Sequence, residues 1–76
     1  MSTDKNILIR MANQMGEFFE AMPDRPEALN DLATHIKRSW ALRMRQDLLA
    51  YIDTHGMDEL HHVTAQAVTV HRNALV

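Results

Sequence analysis

Leu8, Met11, Met15, Phe18, Phe19 and Met22 recur at steps of three and four along the first part of the chain. That spacing predicts an α-helix over roughly residues 4–22 with one apolar stripe, which Ile7 and Ala12 widen. Thr3 or Asp4 can cap its start. Pro23 cannot continue the hydrogen-bond ladder and ends it. Gly16 lies inside the pattern. A mid-helix glycine costs about 1 kcal/mol relative to alanine, and it leaves room for another helix to approach.

Asp24 followed by Glu27 is a capping-box-like pair, and Pro26 fits a helix's first turn, where its missing N–H costs little. The second helix then carries Leu29, Leu32, Ala33, Ile36 and Trp40 at helical steps. "SWALRMR", residues 39–45, holds no obligate breaker, so a bend or a turn is expected near Ser39 to Leu42. A third helix sets Met44, Leu48, Leu49 and Ile52 on one face and stops at Gly56, in left-handed cap geometry. A last helix from about Asp58 shows Leu60, Val63, Ala67 and Val70, although the β-branched run 68–70 weakens it. No useful segment alternates apolar and polar residues as a half-buried strand does. The expectation is an all-α fold: a small bundle of three to four helices, residues 1–76 as one domain, with 1–4 and 73–76 frayed.

Composition narrows what such a bundle can do. A core of this size rarely supplies more than about 3–5 kcal/mol of net stability, so other devices usually add the rest. The 76 residues include no cysteine. That excludes disulfides, thiolate zinc sites and cysteine-held iron–sulfur clusters. The first residues are polar, and no apolar run approaches the ~20 residues that span a bilayer. A cytoplasmic protein with no membrane partner is expected. The formal net charge of −2 argues against nucleic acid, whose binders carry a basic excess. Lys37, Arg38, Arg43 and Arg45 form the one dense basic cluster. Six methionines are many for this length, and they suit irregular cores or adaptable surfaces.

Candidate chemistry is thin. His61 and His62 are adjacent, which on a helix points them about 100° apart, and His71 falls about 180° from His62. His35 and His55 are isolated, so ligand spacing is absent and no metal site is expected. Ser39 and His35 are one helical turn apart, a pairing common by chance. Gly16 and Gly56 are too far apart for a phosphate loop. No catalytic or cofactor-binding residue is assigned. The basic segment has three readings. It can hold phosphates with Trp40 stacking on bases. It can be solvated charge around a core-edge tryptophan, since Trp40 is in register with Ile36, Ala33 and Leu29. It can also dock a protein, because Trp and Arg dominate interface hot spots and Arg43 and Arg45 can clamp carboxylates. The methionine stripe reads first as plain core.

Met11-Ala12-Asn13-Gln14-Met15-Gly16, then Phe18-Phe19, then His35 through Trp40 to Arg43-Met44-Arg45, make a longer pattern. It resembles the small delta subunit of the cytoplasmic, molybdenum-containing, NAD-dependent formate dehydrogenases over roughly residues 7–55. That family shows MANQI-G-x-FF, an acidic proline-containing turn, and a basic helix ending H-x-x-x-F/W-W-x-P-R-M-R. Leu42 stands where the family usually has proline, which predicts a smoother join between the second and third helices. Ser39 stands where an aromatic residue is frequent. The resemblance implies an accessory subunit without a redox centre. Its partner would be the large molybdenum- and iron–sulfur-containing catalytic subunit, and its role the assembly, maturation or stability of the holoenzyme. The expected docking residues are Asn13, Gln14, Phe18, Phe19, His35, Trp40, Arg43, Met44 and Arg45. A homodimer is expected as an option for the isolated chain. The alternative is a stand-alone regulatory or nucleic-acid-binding module using residues 37–45.

Overall fold

The computed structural model describes residues 5–76, with side chains from Asn6 onward. The Thr3 or Asp4 cap and the fraying of residues 1–4 lie outside the described residues. The fold is an all-α bundle. Its helices are α1 (Lys5–Glu20), α2 (Arg25–Ser39), α3 (Leu42–His55), α4 (His62–Val70) and α5 (Arg72–Leu75). α1 packs against α2, α3 and α4, while α2 also meets α4 and α5.

Local chemistry places the helix ends. Asp24 Oδ1 accepts from the Glu27 N–H at 3.1 Å, and Pro26 occupies the first turn of α2. This is the capping arrangement that the Asp24–Glu27 pair predicts. α3 ends at Gly56, whose N–H donates to the Ile52 carbonyl at 2.8 Å. Gly56 has φ 82°, as a glycine cap should, but ψ is −168°. The residue is therefore in the glycine-only extended region, not the αL well expected from its position.

Three expectations need correction. The first concerns α1. Its buried residues are Leu8, Ile9, Ala12 and Gly16. Met11, Met15 and Phe19 are half-buried, and Phe18 is 72% exposed. The core face is thus rotated by roughly 90° from the predicted stripe, at about 100° per residue. The second concerns the join between α2 and α3. Leu42 does not smooth it. Trp40 (ψ 137°) and Ala41 (ψ 152°) are both extended and separate the helices. The cause is Trp40, which leaves the helix to reach the core and is only 5% exposed. Third, α4 starts at His62 instead of Asp58, and Val70 faces outward while Thr64 and Val68 are buried. The Val68-Thr69-Val70 run is helical all the same. Thr69 Oγ1 donates back to the Ala65 carbonyl at 2.8 Å, and Val68 packs in the core. Burial outweighs a small propensity deficit.

The end of the chain has an anchor that its sequence does not advertise: Leu75 is fully buried in the core. Arg72 also reaches Asp53 of α3 at 2.7 Å.

Candidate functional site

Rotating α1 leaves its methionines and phenylalanines facing outward beside α2. Met11, Gln14, Met15, Phe18 and Phe19 form one wall of a groove. His35 and Ser39 at the end of α2, Trp40 in the break, and Met44 at the start of α3 form the other. The groove encloses about 520 Å³. Phe18 and Phe19 meet edge to face with ring centroids 5.1 Å apart, and Phe19 lies 6.3 Å from the His35 ring. Such aromatic pairs hold their geometry beyond simple area burial. The lining is mostly apolar, rimmed by Gln14, Ser39 and His35.

The expected docking residues divide into two groups. Gln14, Phe18, Phe19, His35, Trp40 and Met44 come together in the groove. Asn13, Arg43 and Arg45 do not line it. Asn13 Nδ2 donates to the Glu59 carbonyl at 2.9 Å, and Asn13 Oδ1 accepts from the His61 N–H at 2.7 Å. It therefore ties the segment before α4 to α1. Arg43 is exposed and pairs with Asp47 one turn on, Nε to Oδ1 at 3.2 Å. Arg45 is turned inward and is 9% exposed. Its Nε and Nη1 have no partner among the described residues, and neither does the buried Oδ2 of Asp47. The basic segment is thus divided: Lys37 and Arg38 on α2 are exposed, Arg43 is neutralised in part, and Arg45 is buried.

A second cluster has no counterpart in the spacing of the sequence. Glu20, the last residue of α1, reaches both imidazoles at the start of α4. Its Oε1 lies 3.4 Å from His61 Nε2, and its Oε2 lies 2.8 Å from His62 Nε2. His61 and His62 stack with ring centroids 4.5 Å apart and planes 21° apart. The 100° rule fails because His61 is the N-cap of α4, outside the helix, with φ −55° and ψ 139°. His61 Nδ1 accepts from the Val63 N–H at 3.2 Å. Gly16 allows this approach: a Cβ there would come within 2.9 Å of His61 Cβ. Thr64 Oγ1 then donates to the Ala12 carbonyl at 2.8 Å, a buried bond that locks α4 onto α1.

Tyr51 and Glu59 form a third polar contact, Tyr51 Oη donating to Glu59 Oε2 at 2.6 Å. That hydrogen bond, helped by slight desolvation and the carboxylate's charge, pushes the phenol above its ordinary value. Among the described residues no helix is long and apolar enough to cross a membrane.

No curated protein and no solved structure matches the chain. A family model does, over residues 7–68, which spans α1, α2, α3 and most of α4. The chain therefore belongs to the FdsD family, the delta subunits of NADH-dependent formate dehydrogenase.

Proposed function

We propose that this chain is a non-catalytic accessory subunit, acting in the cytoplasm, that docks on the large molybdenum-containing catalytic subunit through the groove between α1 and the α2–α3 break. The single observation behind this reading is the exposure of Phe18 beside Met11, Met15, Phe19, Trp40 and Met44. Trp40 belongs to the core and Met11, Met15, Phe19 and Met44 pack partly against it, whereas Phe18 adds apolar surface that is left 72% exposed at a cost in solubility. Aromatic and methionine side chains around a concave surface are the usual makings of an interface hot spot. The flexible methionines adapt to the partner's shape. Docking stabilises the folded partner by mass action, because the subunit binds the folded form and not the unfolded one. That is sufficient for a role in assembly, maturation or stability of the holoenzyme.

The family supports the accessory role, and the groove supports the surface. The rival nucleic-acid reading has less behind it. Phosphate binding draws on exposed cations along a continuous track, whereas Arg45 is buried and Arg43 is occupied by Asp47.

Co-expression with the large subunit, followed by affinity co-purification and titration, tests the reading. Phe18→Asp leaves the bundle folded because the side chain is outside the core. Loss of a hot-spot aromatic costs about 2 kcal/mol or more, a weakening of roughly thirtyfold. Wild-type affinity in the folded Phe18→Asp variant rules out this groove as the docking face. Steep loss of binding between low and moderate salt, with Phe18 irrelevant, favours a charge-driven contact instead.

A further inference from the structure

The geometry points to a divalent transition-metal site formed by Glu20, His61 and His62. The ligand atoms come from two elements more than forty positions apart in sequence and lie within 4.8 Å of one another. Tetrahedral bonds of about 2.0–2.1 Å set neighbouring ligand atoms roughly 3.4 Å apart. Glu20 Oε1 to His61 Nε2 is 3.4 Å, and Glu20 Oε2 to His62 Nε2 is 2.8 Å. An ion entering between the carboxylate and the two imidazoles displaces the hydrogen bonds to Glu20 and turns the stacked rings, 4.5 Å apart, until both Nε2 atoms converge on it. Two imidazoles and one carboxylate suit zinc or its neighbours, not magnesium or calcium, which take oxygen ligands. Three protein ligands leave a fourth position for water.

The side chains are also placed to receive an ion. His62 and Glu20 are open to solvent, and His61 is partly covered. Asn13 holds the His61 backbone N–H at 2.7 Å, and the buried Thr64–Ala12 bond fixes the start of α4 beside α1. Both imidazoles rearrange: His62 Nε2, which donates to Glu20 Oε2 at 2.8 Å, passes its proton to Nδ1. Coordination through His61 Nε2 moves that ring's proton to Nδ1, which gives up the bond from the Val63 N–H. That bond is long, at 3.2 Å, and so is among the weaker ones of its kind. Metal coordination replaces it as the link at this helix start. The bound ion then clasps the end of α1 to the beginning of α4, a staple for a bundle too small to draw much stability from its core.

The test uses the full chain with Zn2+ and, as a spectroscopic probe, Co2+. Glu20→Gln and His62→Ala are the variants, because both positions are exposed and His61 also caps a helix. Circular dichroism verifies that each is folded. The wild-type chain is expected to bind one ion, to show Co2+ absorption bands of a low-coordinate nitrogen–oxygen site, and to gain thermal stability as Zn2+ rises. Loss of an outer-shell partner alone weakens metal sites by about 10–100-fold, so each variant should lose at least about tenfold in affinity. Absence of saturable binding overturns the proposal. Equal binding by the wild type and both variants also overturns it, by assigning the ion to His35, His55 or His71.

Discussion

The two glycines are present for different physical reasons. At Gly16 the reason is space. Alanine there gains about 1 kcal/mol of helix propensity. Its Cβ, however, meets the rigid His61 Cβ and the hydroxyl of Thr64. Overpacking costs about 1–3 kcal/mol, and displacing Thr64 from the Ala12 carbonyl leaves a buried acceptor unmatched, about 1–3 kcal/mol more. Gly16→Ala is therefore expected to destabilise the chain by about 1–5 kcal/mol. At roughly 4–8 °C per kcal/mol for a domain of this size, the loss is visible in a thermal melt; an unchanged or higher Tm contradicts the close approach of α1 and α4. At Gly56 none of the described residues lies near the missing Cβ, and the backbone is the whole reason. Tyr51 carries a pH-dependent prediction. It is the only tyrosine, so phenolate absorbance reports it alone. Its folded value is raised above the ordinary 10.0 by the bond to Glu59. The Tyr51–Glu59 contribution to stability is accordingly present below the unfolded value and is lost as pH rises through the folded one. Glu59→Gln should bring the phenolate midpoint down; a midpoint indifferent to this change means the bond does not form in solution.

At the scale of elements, the α2–α3 break is the most informative. Ala41, with φ −62° and ψ 152°, already has the extended conformation that precedes a proline. Leu42 is the first residue of α3, where a proline's missing N–H is no loss. A proline at this position would thus fit the same break, and the break's cause is the burial of Trp40. Leu42→Pro should be tolerated, and stabilising by about 0.4–1 kcal/mol through the unfolded chain's lost freedom. Chemical denaturation of the two forms measures this; a clear loss of stability shows that the Leu42 side chain or N–H is in use. The same scale explains the missed histidine cluster. Adjacent residues diverge on a helix, but His61 is a cap and obeys different geometry.

For the molecule as a whole, the groove sets the behaviour of the isolated chain. Phe18 is largely exposed beside a mostly apolar hollow, so in the isolated chain this face can meet a second copy. Sedimentation should show monomers when dilute and weak self-association when concentrated, and Phe18→Asp should remove the association. Association that persists in the variant means that copies meet elsewhere. The groove was half legible beforehand. Its motif residues Phe18, Phe19, His35, Trp40 and Met44 do converge, although the packing of α1 against α4 and the burial of Trp40, not local spacing, bring them together. Arg45 was read as an outward clamp and is buried, since its position on α3 shares the inward face of Leu48, Leu49 and Ile52. Asn13, an expected docking residue, holds the α3–α4 connection.

The sequence by itself determined the positions of α2 and α3, because caps, prolines, glycines and three-to-four spacing act within a few residues. The tertiary structure decided which face of α1 goes inside. That helix is apolar over a wider arc than one neighbour can cover. Ala12 and Gly16 are small enough to let α4 come close, with Thr64 bonded to the Ala12 carbonyl. The tightest approach claims the core, and the bulky methionines and phenylalanines are displaced to the flank, where they become the groove. No spacing rule along one helix contains that competition, because its outcome depends on residues about fifty positions away.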